Sequence, residues 1–106
     1  MNLDKLIEFV KTKLEDMKIE NISIYYVDGK SSIAKYIIVG TGRGEKHIDS
    51  SLDKLRSDLK IELNNNNLSQ IEGKASNWLL LDLGDMIINL FTEEGRNTYN
   101  LDERWR

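Results

Sequence analysis

Apolar positions in this chain recur at helical spacing in two stretches and gather into short unbroken runs between them. From Leu3 to Lys18, residues Leu3, Leu6, Ile7, Val10, Leu14 and Met17 fall on one stripe, which predicts an amphipathic helix. Asn2 is placed to cap its start, and Asp4 and Lys18 complement the helix dipole. The run Ile22, Ile24, Tyr25, Tyr26 and Val27 is β-branched or aromatic and predicts a strand over Asn21 to Val27. Asp28-Gly29 marks a turn. Ser31 to Ala34 predicts a single helical turn with a serine cap. Tyr36-Ile37-Ile38-Val39 is apolar without alternation, so the strand Tyr36 to Thr41 should be covered on both faces.

The glycine-rich segment Gly40-Thr41-Gly42-Arg43-Gly44 leads into a second helix, Glu45 to Leu63, with Ile48, Leu52, Leu55, Leu59 and Leu63 on one face. Asn64 to Asn67 should end it, because asparagine tolerates the left-handed conformation and competes for backbone hydrogen bonds. Ile71-Glu72 reads as a short edge strand closed by Gly73. A hairpin follows, with arms Asn77 to Leu83 and Met86 to Phe91. The tail, Thr92 to Arg106, is helical or irregular. There is no repeat and no linker. This order predicts one domain over residues 1–106, of class α/β (α+β), with one mixed β-sheet and flanking helices.

The hairpin gives the sharpest reading. Gly84-Asp85 as a two-residue loop suits a type II′ turn and fixes the register. Leu83 then faces Met86, Leu81 faces Ile88, and Leu79 faces Leu90, an apolar set that belongs in the core. The opposite face pairs Asp82 with Ile87, Leu80 with Asn89, and Trp78 with Phe91. An aromatic anchor, an apolar centre and a few polar groups suit a protein interface. The alternative is that a helix or the tail covers this face.

Composition narrows the functional classes. The chain has no cysteine, which excludes disulfides, thiolate metal sites and cysteine nucleophiles. No apolar run exceeds the four residues Trp78 to Leu81, far short of the roughly 20 needed for a membrane helix. No secretory signal core follows the charged start, so the cytoplasm is the expected location and no membrane partner is expected. Net charge is −3, a poor footprint for general nucleic-acid binding, and no sequence-specific nucleic-acid partner is expected. Arg43, Lys46, Arg104 and Arg106 remain candidates for isolated phosphate contacts.

Catalytic chemistry finds little support. The glycine segment lies between a strand and a helix, where backbone N–H groups can hold phosphate. Glu45, however, occupies the position where both the dinucleotide and phosphate-loop fingerprints need glycine. Asp28, Asp82 and Asp85 are conceivable metal ligands, but Asp28 and Asp85 sit in turns, where aspartate has local uses. His47 is the only histidine, and Ser50 and Ser51 beside it do not make a triad by position on one helix. No catalytic residue, metal or cofactor is expected. A nucleotide-binding enzyme is the alternative reading.

The segments Glu72-Gly73, Ser76, Trp78-Leu79-Leu80-Leu81-Asp82-Leu83-Gly84-Asp85 and Met86 to Phe91 resemble the signature of the Iojap-like ribosomal silencing factors. The ending Arg96, Tyr99, Leu101, Asp102 and Trp105 is similar to that family's C-terminal motif. So are Ile22, Ser32, Tyr36, Gly40-Thr41-Gly42 and Lys46-His47 to its earlier positions. The resemblance implies a fold similar to nucleotidyltransferases without that activity. It implies binding to the large ribosomal subunit through ribosomal protein fourteen, blocking of subunit joining when nutrients are scarce, and homodimers in many members. Carried over, the partner-binding candidates are Trp78, Leu79, Leu80, Leu81 and Asp82. The register favours Trp78, Leu80 and Asp82 for contact and adds Asn89 and Phe91. The chain departs from the family pattern at Lys35, Gly44, Asn89 and Arg104, where the family favours aspartate, serine, histidine and leucine.

Overall fold

The computed structural model describes residues 1–106. Helix α1 spans Leu3–Asp16, with Asn2 capping it by accepting from the Lys5 N–H at 2.9 Å. It stops two residues short of the periodic pattern. Lys18 takes a left-handed conformation (φ 66°), and the Ile19 N–H returns to the Leu14 carbonyl. A lysine thus does what glycine usually does at a helix end.

Strands β1 (Glu20–Tyr26) and β2 (Tyr36–Gly42) pair antiparallel. The helical turn expected at Ser31 to Ala34 does not form. The chain already reverses at Gly29 (φ +86°), where the Val27 carbonyl accepts from Lys30 and Ser31. The Ser31 hydroxyl then accepts from the Ile33 N–H, a local bond that competes with helix.

Helix α2 spans Glu45–Glu62 and buries Ile48, Leu52, Leu55 and Leu59. Asn64 ends it in the left-handed region, as the asparagine run predicted. Strands β3 (Trp78–Asp82) and β4 (Met86–Thr92) form the hairpin, and two short helices follow: α3 (Glu93–Tyr99) and α4 (Leu101–Trp105). The predicted Ile71-Glu72 strand is reduced to one bridge, in which Glu72 and Leu80 exchange both backbone hydrogen bonds.

The sheet order is β1-β2-β4-β3, with β2 and β4 parallel and both outer pairs antiparallel. This is the mixed sheet with flanking helices that the element order predicted. Helices α1 and α2 cover one face. There Val10, Leu14, Ile48, Leu52, Leu55 and Leu59 pack on Ile38, Leu79, Leu81, Met86, Ile88 and Leu90. The tail crosses the other face, where Leu101 and Trp105 pack against Val27, Ala34, Ile37, Val39, Ile87 and Phe91. No helix is long and apolar enough to cross a membrane.

The start of α3 is pressed onto the residue before β3. The Thr92 hydroxyl donates to Asn77 Oδ1 and accepts from the Gly95 N–H, and the Thr92 N–H donates to the Asn77 carbonyl. A Cβ on Gly95 would stand 2.4 Å from that carbonyl oxygen. Gly95→Ala should therefore destabilise the fold by about 1–3 kcal/mol in urea unfolding. Helix propensity alone favours alanine by about 1 kcal/mol. A more stable variant would show that the packing of α3 on Asn77 is loose.

Candidate functional site: the β3–β4 hairpin edge

The hairpin register is the one the two-residue loop dictates. Trp78 pairs with Phe91, Leu79 with Leu90, Leu80 with Asn89, Leu81 with Ile88, and Asp82 with Ile87. The Leu83 N–H donates to the Met86 carbonyl at 2.8 Å, closing the loop. Gly84 has φ +89°, the positive value that a type II′ turn needs at its first position. Asp82 Oδ1 accepts from the Gly84 N–H at 2.8 Å and so helps to shape the turn.

Of the sequence-predicted site residues, Leu79 and Leu81 are fully buried beneath α1 and α2. They are core residues, and truncating either should cost about 2–5 kcal/mol of stability. Phe91 and Asn89 are also buried, on the opposite face. Trp78, Leu80 and Asp82 remain half-buried on β3, an edge strand whose outer side carries only the single Glu72 bridge.

The buried pair orients Trp78. Its ring stacks on Phe91 with centroids 5.1 Å apart and planes 29° from parallel. The indole N–H donates to Asn89 Oδ1 at 3.0 Å, and Asn89 Nδ2 donates to the Ile38 carbonyl at 3.3 Å. Asn89 thus relays a hydrogen bond from the sheet backbone to the indole. This network leaves both the amide and the indole N–H satisfied, as buried polar groups require. Tyr99, from the end of α3, packs beside both rings, 5.0 Å from Trp78 and 6.2 Å from Phe91, and is 55% exposed. Sequence reasoning had Tyr99 only as a tail-motif residue. No periodicity in the tail shows that it reaches Trp78.

The tail is held by one guanidinium. Arg96 Nε and Nη2 donate to the two oxygens of Asp102 at 3.0 and 2.9 Å. Nη2 also donates to Ser23 Oγ, and Nη1 to Thr41 Oγ1 and the Asn21 carbonyl. All five N–H donors of the side chain are used. The Tyr25 hydroxyl donates to Asp102 Oδ1 as well. Burial pushes the Asp102 carboxyl up. Hydrogen bonds from Arg96 and Tyr25 and the charges of Arg96 and Arg106 outweigh that effect and hold it below its ordinary value.

This cluster floors a groove of about 730 Å³ near the carboxyl ends of β2 and β4. In α/β sheets that is a common place for ligands. Here the floor arginine has no donor left for an anion, and the walls carry both signs, Glu20 and Glu93 beside Arg43 and Arg106. The glycine turn has packing reasons: a Cβ on Gly42 would meet Ile48 Cγ2 at 2.4 Å, and one on Gly40 would meet Ile19 Cγ2 at 2.6 Å. His47 is occupied too. Its Nδ1 accepts from the Arg43 N–H at 2.9 Å, and its Nε2 lies 2.7 Å from the Met17 carbonyl. No group of three or more histidine or carboxylate side chains gathers to hold a metal.

An acid whose folded pKa lies below its unfolded value stabilises the fold above that unfolded value. The Asp102 contribution is therefore complete above about pH 4 and is lost as pH falls through the lowered folded value. Asp102→Asn should be about 3 kcal/mol less stable at neutral pH, since it leaves Arg96 buried and under-paired. The gap to wild type should shrink below pH 4, as unfolding curves at stepped pH would record. A gap that stays constant down to pH 2 would contradict the assignment.

The sequence model of the family described as ribosomal silencing factor during starvation matches residues 1–106. The ribosomal silencing factor of Zymomonas mobilis is 37% identical over 103 residues, covering 96% of this chain and 76% of that protein. That of Halalkalibacterium halodurans is 28% identical over 109 residues, covering 99% and 89%. A mouse protein named for mitochondrial assembly of the ribosomal large subunit is 28% identical over 101 residues, which span 93% of this chain but 44% of its own length. The crystal structure of a Chromobacterium violaceum protein has the same fold, with a TM-score of 0.88 at 22% identity over 99% of this chain and 87% of that one. A full-length family match and a relative of this similarity establish that the chain belongs to the ribosomal silencing factor family.

Proposed function

We propose that this ribosomal silencing factor binds the large ribosomal subunit through ribosomal protein fourteen, using the β3 edge of the hairpin, and so keeps the small subunit from joining. The observation that carries the reading is Trp78. It is only partly buried on an edge strand, yet fixed in orientation by Phe91, Asn89 and Tyr99. A large aromatic held in place before binding loses little entropy on association, which is what an interface anchor needs. Leu80 and Asp82 continue the contact along β3. Asn89 and Phe91 support it from beneath, because buried side chains cannot touch a partner in this conformation.

The action is steric and needs no catalytic group. The nucleotide-binding alternative has only the position of the groove in its favour. The Arg96 donors are already spent, and Glu45 stands at the entrance to α2.

Co-sedimentation with purified subunits tests the proposal. Wild type should travel with the large subunit and reduce formation of joined ribosomes. Trp78→Ala, shown to be folded by circular dichroism, should bind on the order of 30-fold more weakly, the loss of about 2 kcal/mol at an anchor. Wild-type affinity in the variant would remove Trp78 from the contact.

A further inference from the structure

We infer that Tyr99 is a second contact residue of the same surface, and that Arg96 is the positioning residue that holds it there. The inference rests on the proposed binding at the hairpin edge and extends it to the tail.

Tyr99 is 55% exposed, and its ring packs against two other rings of the site. Its ring lies 5.0 Å from Trp78 and 6.2 Å from Phe91, so the two outward rings form one continuous aromatic surface across β3 and α3. Its hydroxyl has no partner within the chain and is free to hydrogen-bond across an interface. The surface fits a protein partner with an apolar patch bordered by a hydrogen-bonding group.

The position of Tyr99 is set from both sides. The chain reverses immediately after it, at Asn100, which is left-handed (φ 47°, ψ 48°) and donates to the Arg96 carbonyl at 3.0 Å. Arg96 precedes the reversal and Asp102 follows it. The guanidinium joins the two, and three more bonds tie it to β1 and β2 through Asn21, Ser23 and Thr41. Both arms of the reversal are thereby fixed to the sheet that carries Trp78. Lysine at position 96 would keep the charge but could not reproduce the planar fork.

The test is a double-mutant cycle in large-subunit binding, with Tyr99→Ala, Arg96→Lys and the combination, all in the full chain. Each single variant should bind about tenfold more weakly. The double variant should be no weaker than Tyr99→Ala, because Arg96 acts through Tyr99. Near-ultraviolet circular dichroism of the free proteins supplies an independent readout. Arg96→Lys should change the Trp78 indole band in the same direction as Tyr99→Ala, and Tyr99→Phe, which keeps a ring against the indole, should leave that band close to wild type. Wild-type binding by Tyr99→Ala would overturn the inference and leave the hairpin reading standing. Losses that simply add would remove Arg96 from its positioning role. If wild type itself does not bind the large subunit, the hairpin reading falls and the inference falls with it.

Discussion

The structure depends on the register of one hairpin. Because strand side chains alternate between faces, the two-residue turn at Gly84-Asp85 decides which half of Trp78–Asp82 enters the core. With this turn, Leu79 and Leu81 go under the helices and Trp78, Leu80 and Asp82 go to the other side. A slip of one residue would drive the tryptophan and a carboxylate into the core and put the leucines outside. The Asp82 carboxylate bonded to the Gly84 N–H reinforces the turn from within the segment whose register it sets.

The second constraint acts across the chain. The face opposite the two long helices would be an open apolar surface if the tail did not cross it. The tail is short, with helices of 7 and 5 residues, and such helices do not persist alone in water. A single arginine compensates by spending every donor on four residues from three parts of the sequence. Its ion pair with Asp102 is well buried, so breaking either half is costly even though the intact pair adds only modestly to stability. The consequence for binding is geometric. The tail covers Ile87 and Phe91 and reaches Trp78 only through the Tyr99 ring, leaving the indole at the boundary between core and solvent.

Much of this was legible from residue order, for reasons that differ by element. The helices and hairpin were clear because their apolar periods are long or their loop admits one register. Boundaries failed where a residue adopted an uncommon backbone. Lys18 ended α1 early, and Ser31 preferred a local side-chain bond to a helical turn. The division of the second face was only half legible. Its pairs were right, but Asn89 and Phe91 turned out to be buried, because the covering tail has no period to announce it. The Arg96 cluster was out of reach of the sequence pattern, since its acceptors come from positions up to 75 residues away. The family resemblance pointed to Arg96, Tyr99 and Asp102 without showing that one holds the others.

Photo-crosslinking from a single position tests the central claim most directly. A photoreactive residue at Leu80, half-buried on the outer face of β3, should crosslink to ribosomal protein fourteen in the bound large subunit. One at Ile61, exposed on α2, should not. Crosslinking to that protein from Ile61 and none from Leu80 would place the contact on the helical side and contradict the account.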